Sequence, residues 1–161
     1  MMSAVPSAIA ACGGFLLAVL WMDLIFDSQV LAHRQSPDPL PEPVLASIAG
    51  YYHRATTSSR PMSSLIALVM MILLIMLAVR AIFGNDPGWF VSVSTALAGL
   101  PILLALIRTV RNAVRLGKRA DSVTEQTRLA RAIFRDHVLC FGLMVAFLGL
   151  WLAEAGLVSM L

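Results

Sequence analysis

Four stretches of apolar residues dominate the chain, at positions 7–26, 62–83, 88–107 and 138–158. Each has about the 20 residues that a helix rising 1.5 Å per residue needs to cross a 30 Å hydrocarbon layer. In that layer no water is present to pair with backbone N–H and C=O groups, so runs of this length are predicted as helices. Two long polar connections separate them, at 27–61 and 108–137, with the short turn GNDPG between the second and third runs. The pattern predicts an all-α, integral membrane four-helix bundle over 1–161, one domain with four spans.

The polar connections have patterns of their own. The first contains SPDPLPEPV, which reads as an extended spacer because proline is excluded from helix interiors. VLASIAGYYHRAT follows, a short amphipathic segment whose Tyr51 and Tyr52 suit the headgroup layer. Pro61 opens the second span. In the second connection RTVRNAVRLGKR carries span three into water, and QTRLARAIFRDHV leads into span four. Between them SVTE is a capping box, with Ser122 and Glu125 each meeting a free N–H of the other. The expected fold therefore includes cytoplasmic helical extensions of spans three and four. Pro101 is expected to kink span three, Gly13 and Gly14 to form a packing notch, and Trp21, Trp89 and Trp151 to anchor at the interfaces.

Composition agrees with a bilayer environment. Hydrophobic residues make up 59% of 161 and charged residues 13%, against roughly 45–50% and 25% in soluble domains. The two cysteines, Cys12 and Cys140, fall inside apolar runs and read as small hydrophobes, not a disulfide. The first run lacks a basic leader and a small-residue cleavage site, so it is taken as a span and not a signal peptide.

Charge then sets orientation. The net charge is only +3, but the basic residues cluster. The first connection holds Arg34, Arg54 and Arg60, and the second holds Arg108, Arg111, Arg115, Lys118, Arg119, Arg128, Arg131 and Arg135. The opposite side has only Arg80. The positive-inside rule places both long connections in the cytoplasm and both termini outside it, in a bacterial-type inner membrane.

Asp23 and Asp27 close the first span one helical turn apart, on one face. An unpaired carboxylate at membrane depth costs at least about 2.5–3.5 kcal/mol. The expected partners are the arginines of the basic hairpin, Arg108, Arg111, Arg115 and Arg135. The structural reading has the carboxylates pinning span one to that hairpin. The functional reading gathers Asp23, Asp27, Tyr52, His53, Arg111, Asn112, Arg115, Asp136 and His137 into a ligand-binding polar pocket at the cytoplasmic mouth. At the opposite end Arg80 and Glu154 form a candidate structural ion pair.

Motifs narrow the chemistry. The chain lacks HExxH, CxxC, a Glu-x-x-His pair, a P-loop and GxGxxG, so neither a metal nor a cofactor is called. The methionine-rich run VMMILLIM reads as packing or lipid-facing surface. Nucleic acid is not an expected partner, because the basic residues lie against the membrane without a soluble module. Membrane lipids are, with anionic headgroups drawn to the basic segment 108–135.

The plan of four spans, a long first cytoplasmic loop, a proline opening span two and a polar stretch after span three resembles the anthrone-oxygenase-like membrane proteins. The residues that carry the likeness are Asn112-Ala113-Val114-Arg115-Leu116 and the approach Arg135-Asp136-His137. The family's proline and second asparagine in the first of these are missing here. The resemblance implies a membrane pocket for a hydrophobic aromatic or quinone-like substrate, oxidised without a tightly bound cofactor, at Asn112 and His137.

Three classes of function follow. The chain is a binding or accessory subunit of a membrane assembly, a membrane enzyme acting on a lipophilic molecule at the polar cluster, or a transporter or channel acting as a homo-oligomer.

Overall fold

The computed structural model describes residues 4–58 and 60–159. Six α-helices account for most of them. α1 (Ala4–Asp27), α3 (Arg60–Phe83), α4 (Gly88–Leu104) and α6 (Val123–Ser159) contain the four apolar runs, and all four are long and apolar enough to span a membrane once their continuations are included. The chain is thus a multi-pass membrane protein. α2 (Glu42–His53) and α5 (Val110–Lys118) lie at one end and, with the first half of α6, form a cap.

The spans close into a ring. α1 packs against α6 and α3, and α4 packs against the same two helices. Inside it Ile9, Leu16, Leu73, Phe90, Met144 and Phe147 form a membrane core. Gly13 is a contact point, since a Cβ there would meet the Phe147 ring at 3.0 Å, while Gly14 faces open space. Trp151 is buried in this core, so it packs instead of anchoring at the interface, whereas Trp21 and Trp89 are exposed. Ser122 caps α6 by accepting the Glu125 N–H at 3.3 Å, but the Glu125 carboxylate turns to Arg128 and Arg115 and does not complete the box.

The cap has a second core of Leu40, Leu45, Ile48, Leu116, Leu129 and Ile133. α2 is the amphipathic segment of the first connection. Its apolar face lies on α5 and α6 instead of on lipid, because Leu45, Ile48 and Ala49 find a matching stripe at Ala113, Leu116 and Leu129. The proline-rich segment before it is strapped to α6, in contrast to a free spacer. Leu40 N–H donates to Thr127 Oγ1 at 3.0 Å, and Arg131 donates to the carbonyls of His33, Ser36 and Asp38.

The helical hydrogen-bond pattern changes wherever α1, α2 and α4 end. α1 tightens into a 3₁₀ segment at Ser28–His33, and wide π turns occupy Arg54–Ser58 before α3 and Ala105–Thr109 after α4. Pro101 lies inside α4 four residues before the second π turn. Only α6 continues unbroken from cap to membrane, and its 37 residues give a rod about 55 Å long.

Gly117 sets the closest approach in the cap. A Cβ there would lie 2.9 Å from His53 N and 3.1 Å from His53 Cα, so the obstacle is backbone that cannot rotate away. Gly117→Val should destabilise the protein by about 1–3 kcal/mol through overpacking. Thermal unfolding in detergent checks this, with Gly142→Val, whose site has nothing within 4 Å, as the control expected to stay closer to the parent.

Candidate functional site

A polar layer separates the two cores, and Asp27 is its centre. Asp27 ends α1 with a side chain that is 0% exposed. Its Oδ1 accepts the Tyr52 hydroxyl at 2.7 Å, and its Oδ2 lies 2.7 Å from His137 Nδ1. With Asp27 ionised, Nδ1–H is the donor, and the tyrosine hydroxyl sits 3.3 Å from the same nitrogen. One carboxylate therefore joins α1, α2 and α6. Asp23, one turn earlier, accepts the Tyr51 hydroxyl at 2.7 Å and lies 3.8 Å from His137 Nε2. The imidazole stands between two carboxylates of the same helix, close to one and loosely placed against the other.

The spacing of the residues builds this geometry. Asp23 and Asp27 share a face of α1 because they are four apart. Tyr51 and Tyr52 are adjacent on α2, so their rings diverge and each meets a different carboxylate. The Tyr51 ring stacks on Phe26 at 4.1 Å between centroids, and Tyr52 meets Tyr51 edge-on at 5.2 Å. Burial and the neighbouring carboxylates both push the phenol pKa values up, so both tyrosines remain hydroxyl donors.

Of the nine residues expected in the pocket, Asp23, Asp27, Tyr52 and His137 come together. The other five do not join them. Asp136 follows His137 in sequence but points about 100° around α6, where it binds Arg108 at 2.9 Å and the Thr109 hydroxyl at 3.2 Å. Arg115 is held by Asp121 and Glu125 at 2.9 and 3.1 Å. Arg111 and Asn112 line a shallow cleft with Ile107, and His53 is exposed. The expected arginine partners of Asp23 and Asp27 are likewise elsewhere. Phenols and an imidazole hold these carboxylates, since α2 folds over the end of α1 and occupies the place that guanidiniums would need.

Tyr51 belongs to the layer although the sequence pattern leaves it out of the pocket. Its place in the sequence suits the headgroup layer, and the signal for its position in the structure is the pairing of two adjacent tyrosines with two aspartates on one helix face. At the far end Arg80 pairs with Asp86 of the GNDPG turn instead of with Glu154, and its guanidinium lies 5.9 Å from the Trp151 ring. The turn brings Asp86 back within six residues of Arg80, closer than α6 can place Glu154. Among the described residues, no group of three or more His, Cys, Asp or Glu side chains is arranged to hold a metal ion. No family model, curated protein or solved structure matches the chain.

Both Asp27 oxygens are matched by donors from other helices, so the arrangement is a latch between membrane core and cap. Asp27→Ala should cost about 3–5 kcal/mol, because it strands a buried histidine and a buried hydroxyl. Tyr52→Phe should cost about 1.5–3 kcal/mol, the range for a hydrogen bond to a charged group. Chemical or thermal unfolding in detergent measures both.

A pH effect follows from the two tyrosines, the only two in the chain. Their raised folded-state pKa means that, above the ordinary phenol value near 10, the folded state keeps protons that the unfolded chain releases. Stability from this source is complete below that pH and falls as pH rises past it. The expected result is no tyrosinate absorbance from the folded protein near pH 10.5, about half a unit above that value. Absorbance should then rise together with loss of helical signal, and Tyr51→Phe/Tyr52→Phe should remove the alkaline limb.

Proposed function

We propose that the chain is a binding or accessory component of a membrane assembly. The observation that carries this reading is the closed polar layer. Asp27 is fully buried, both of its oxygens are engaged, and its partners come from two other helices, α2 and α6. A group committed in this way holds a fold together and leaves no open valence for a reactant. The outer faces offer the contact area. α3 exposes Leu68, Met71, Ile75, Val79 and Ile82 along its length, which lipid or a neighbouring subunit covers. Basic residues at the cap favour its placement in the cytoplasm, with both termini outside.

One observation favours the second reading, a membrane enzyme of the anthrone-oxygenase-like kind. The Asp23–His137 edge is loose at 3.8 Å, and the Asp23 side chain is 16% exposed. A hydroxyl or carbonyl of a lipophilic molecule reaches the layer there and nowhere deeper.

Native mass spectrometry of the protein gently extracted from its membrane separates the two. The accessory reading expects partner subunits to travel with the chain, and Asp23→Asn to leave that composition unchanged. A lipophilic molecule that co-purifies and disappears in Asp23→Asn at unchanged melting temperature would replace it with the enzyme reading. For orientation, a cysteine at the exposed Asn85 should react with membrane-impermeant maleimide from outside the cell. Labelling only after permeabilisation overturns the topology.

A further inference from the structure

One cleft on the described surface is separate from the polar layer. It has a volume of about 810 Å³ and lies between the strap after α1 and the first half of α6. Four arginines line it, Arg34, Arg128, Arg131 and Arg135, against two carboxylates, Asp38 and Glu125. Arg128 is occupied by Glu125 at 2.7 Å. Arg131 spends its terminal nitrogen on three strap carbonyls and so builds the wall. Arg34 and Arg135 remain. Both are exposed, and neither forms a side-chain hydrogen bond or ion pair among the described residues. They come from opposite walls of the cleft, 101 positions apart in the sequence.

The lower lining of the cleft is apolar. Val30, Leu31 and Phe134 form it. Arg135, Val138 and Leu139 share one face of α6 by the three-and-four spacing, and the latter two are 48% and 54% exposed. Further along, Trp21 of α1 and Phe141 of α6 stand 6.0 Å apart where α1 packs against α6. The surface therefore changes from free guanidinium to exposed aliphatic side chains within a few turns of α6, with the exposed Trp21 of α1 beside them.

We infer that this cleft binds an anionic glycerophospholipid, with its phosphate between Arg34 and Arg135 and an acyl chain along the apolar surface of Val138, Leu139 and Trp21 where α1 meets α6. Guanidiniums match phosphate oxygens in charge and in fork geometry. The site is local: two arginines, not the total basic charge of the cap, recognise the headgroup. The apolar track below them selects a lipid over a soluble phosphate.

The test uses the full chain in detergent, titrated with phosphatidylglycerol and read by native mass spectrometry. Arg34→Gln/Arg135→Gln should weaken binding on the order of 30-fold, from about 1 kcal/mol per basic residue near the headgroup. Arg54→Gln/Lys118→Gln removes the same charge from exposed cap positions outside the cleft and should leave binding unchanged. Equal loss in both double variants overturns the site in favour of diffuse attraction. Displacement by glycerol 3-phosphate at concentrations similar to the lipid would show a soluble-phosphate site and also overturn the proposal, as would equal binding of phosphatidylcholine. A phosphatidylglycerol carrying a diazirine on its acyl chain tests the unmodified protein. It should label the peptides around Trp21 and Phe141, and labelling confined to α3 refutes the acyl track.

Discussion

A single buried carboxylate determines how the membrane half and the cap half of this protein are joined. Asp27 would be costly at the edge of a bilayer without partners. Its two oxygens fix Tyr52 of one helix and His137 of another. The other elements of the junction have to be compatible with that bond. α2 has to lie across the end of α1 for its tyrosines to reach, and α6 has to extend past the membrane for the imidazole to stand at that depth. A polar layer thus sits between two apolar cores, where it selects one docking of the cap over others that would bury equal apolar area.

The changes in helical pattern occur at the same level. The 3₁₀ segment after α1 and the π turns beside α2 and α4 let each chain change direction while keeping its backbone groups paired. α6 needs no such break, and it presents successive residues to different neighbours. His137 faces the latch, while Asp136 serves Arg108 and Thr109. The strap is fixed to the same rod through Arg131 and Thr127, so α6 organises both halves.

Much of this was legible in the chain. The spans followed from run length alone, because hydrocarbon leaves the backbone no alternative to the helix. The extensions of spans three and four followed from amphipathic spacing and the Ser122 cap. The site was legible only in part. Charge complementarity pointed Asp23 and Asp27 toward arginines, and that argument ranks partners by charge without knowing which helix lies nearer. α2 decided the outcome, and its position depends on the fit of Leu45 and Ile48 against Leu116 and Leu129, a tertiary match that a local pattern does not display. The same limit explains Arg80. Depth in the membrane suggested Glu154, whereas a tight turn delivered Asp86. Trp151 shows it once more, since closeness to a span end suits an interfacial anchor and a core residue equally.

The latch also has an order in time. A chain made from its N-terminus places Asp23 and Asp27 in the membrane first. Tyr52 follows Asp27 by 25 positions, but His137 follows it by 110. During synthesis of the intervening spans α1 carries carboxylates that only phenols can satisfy, and its last partner arrives with the final helix. A product truncated before α6 therefore keeps an unmet charge requirement at the membrane boundary.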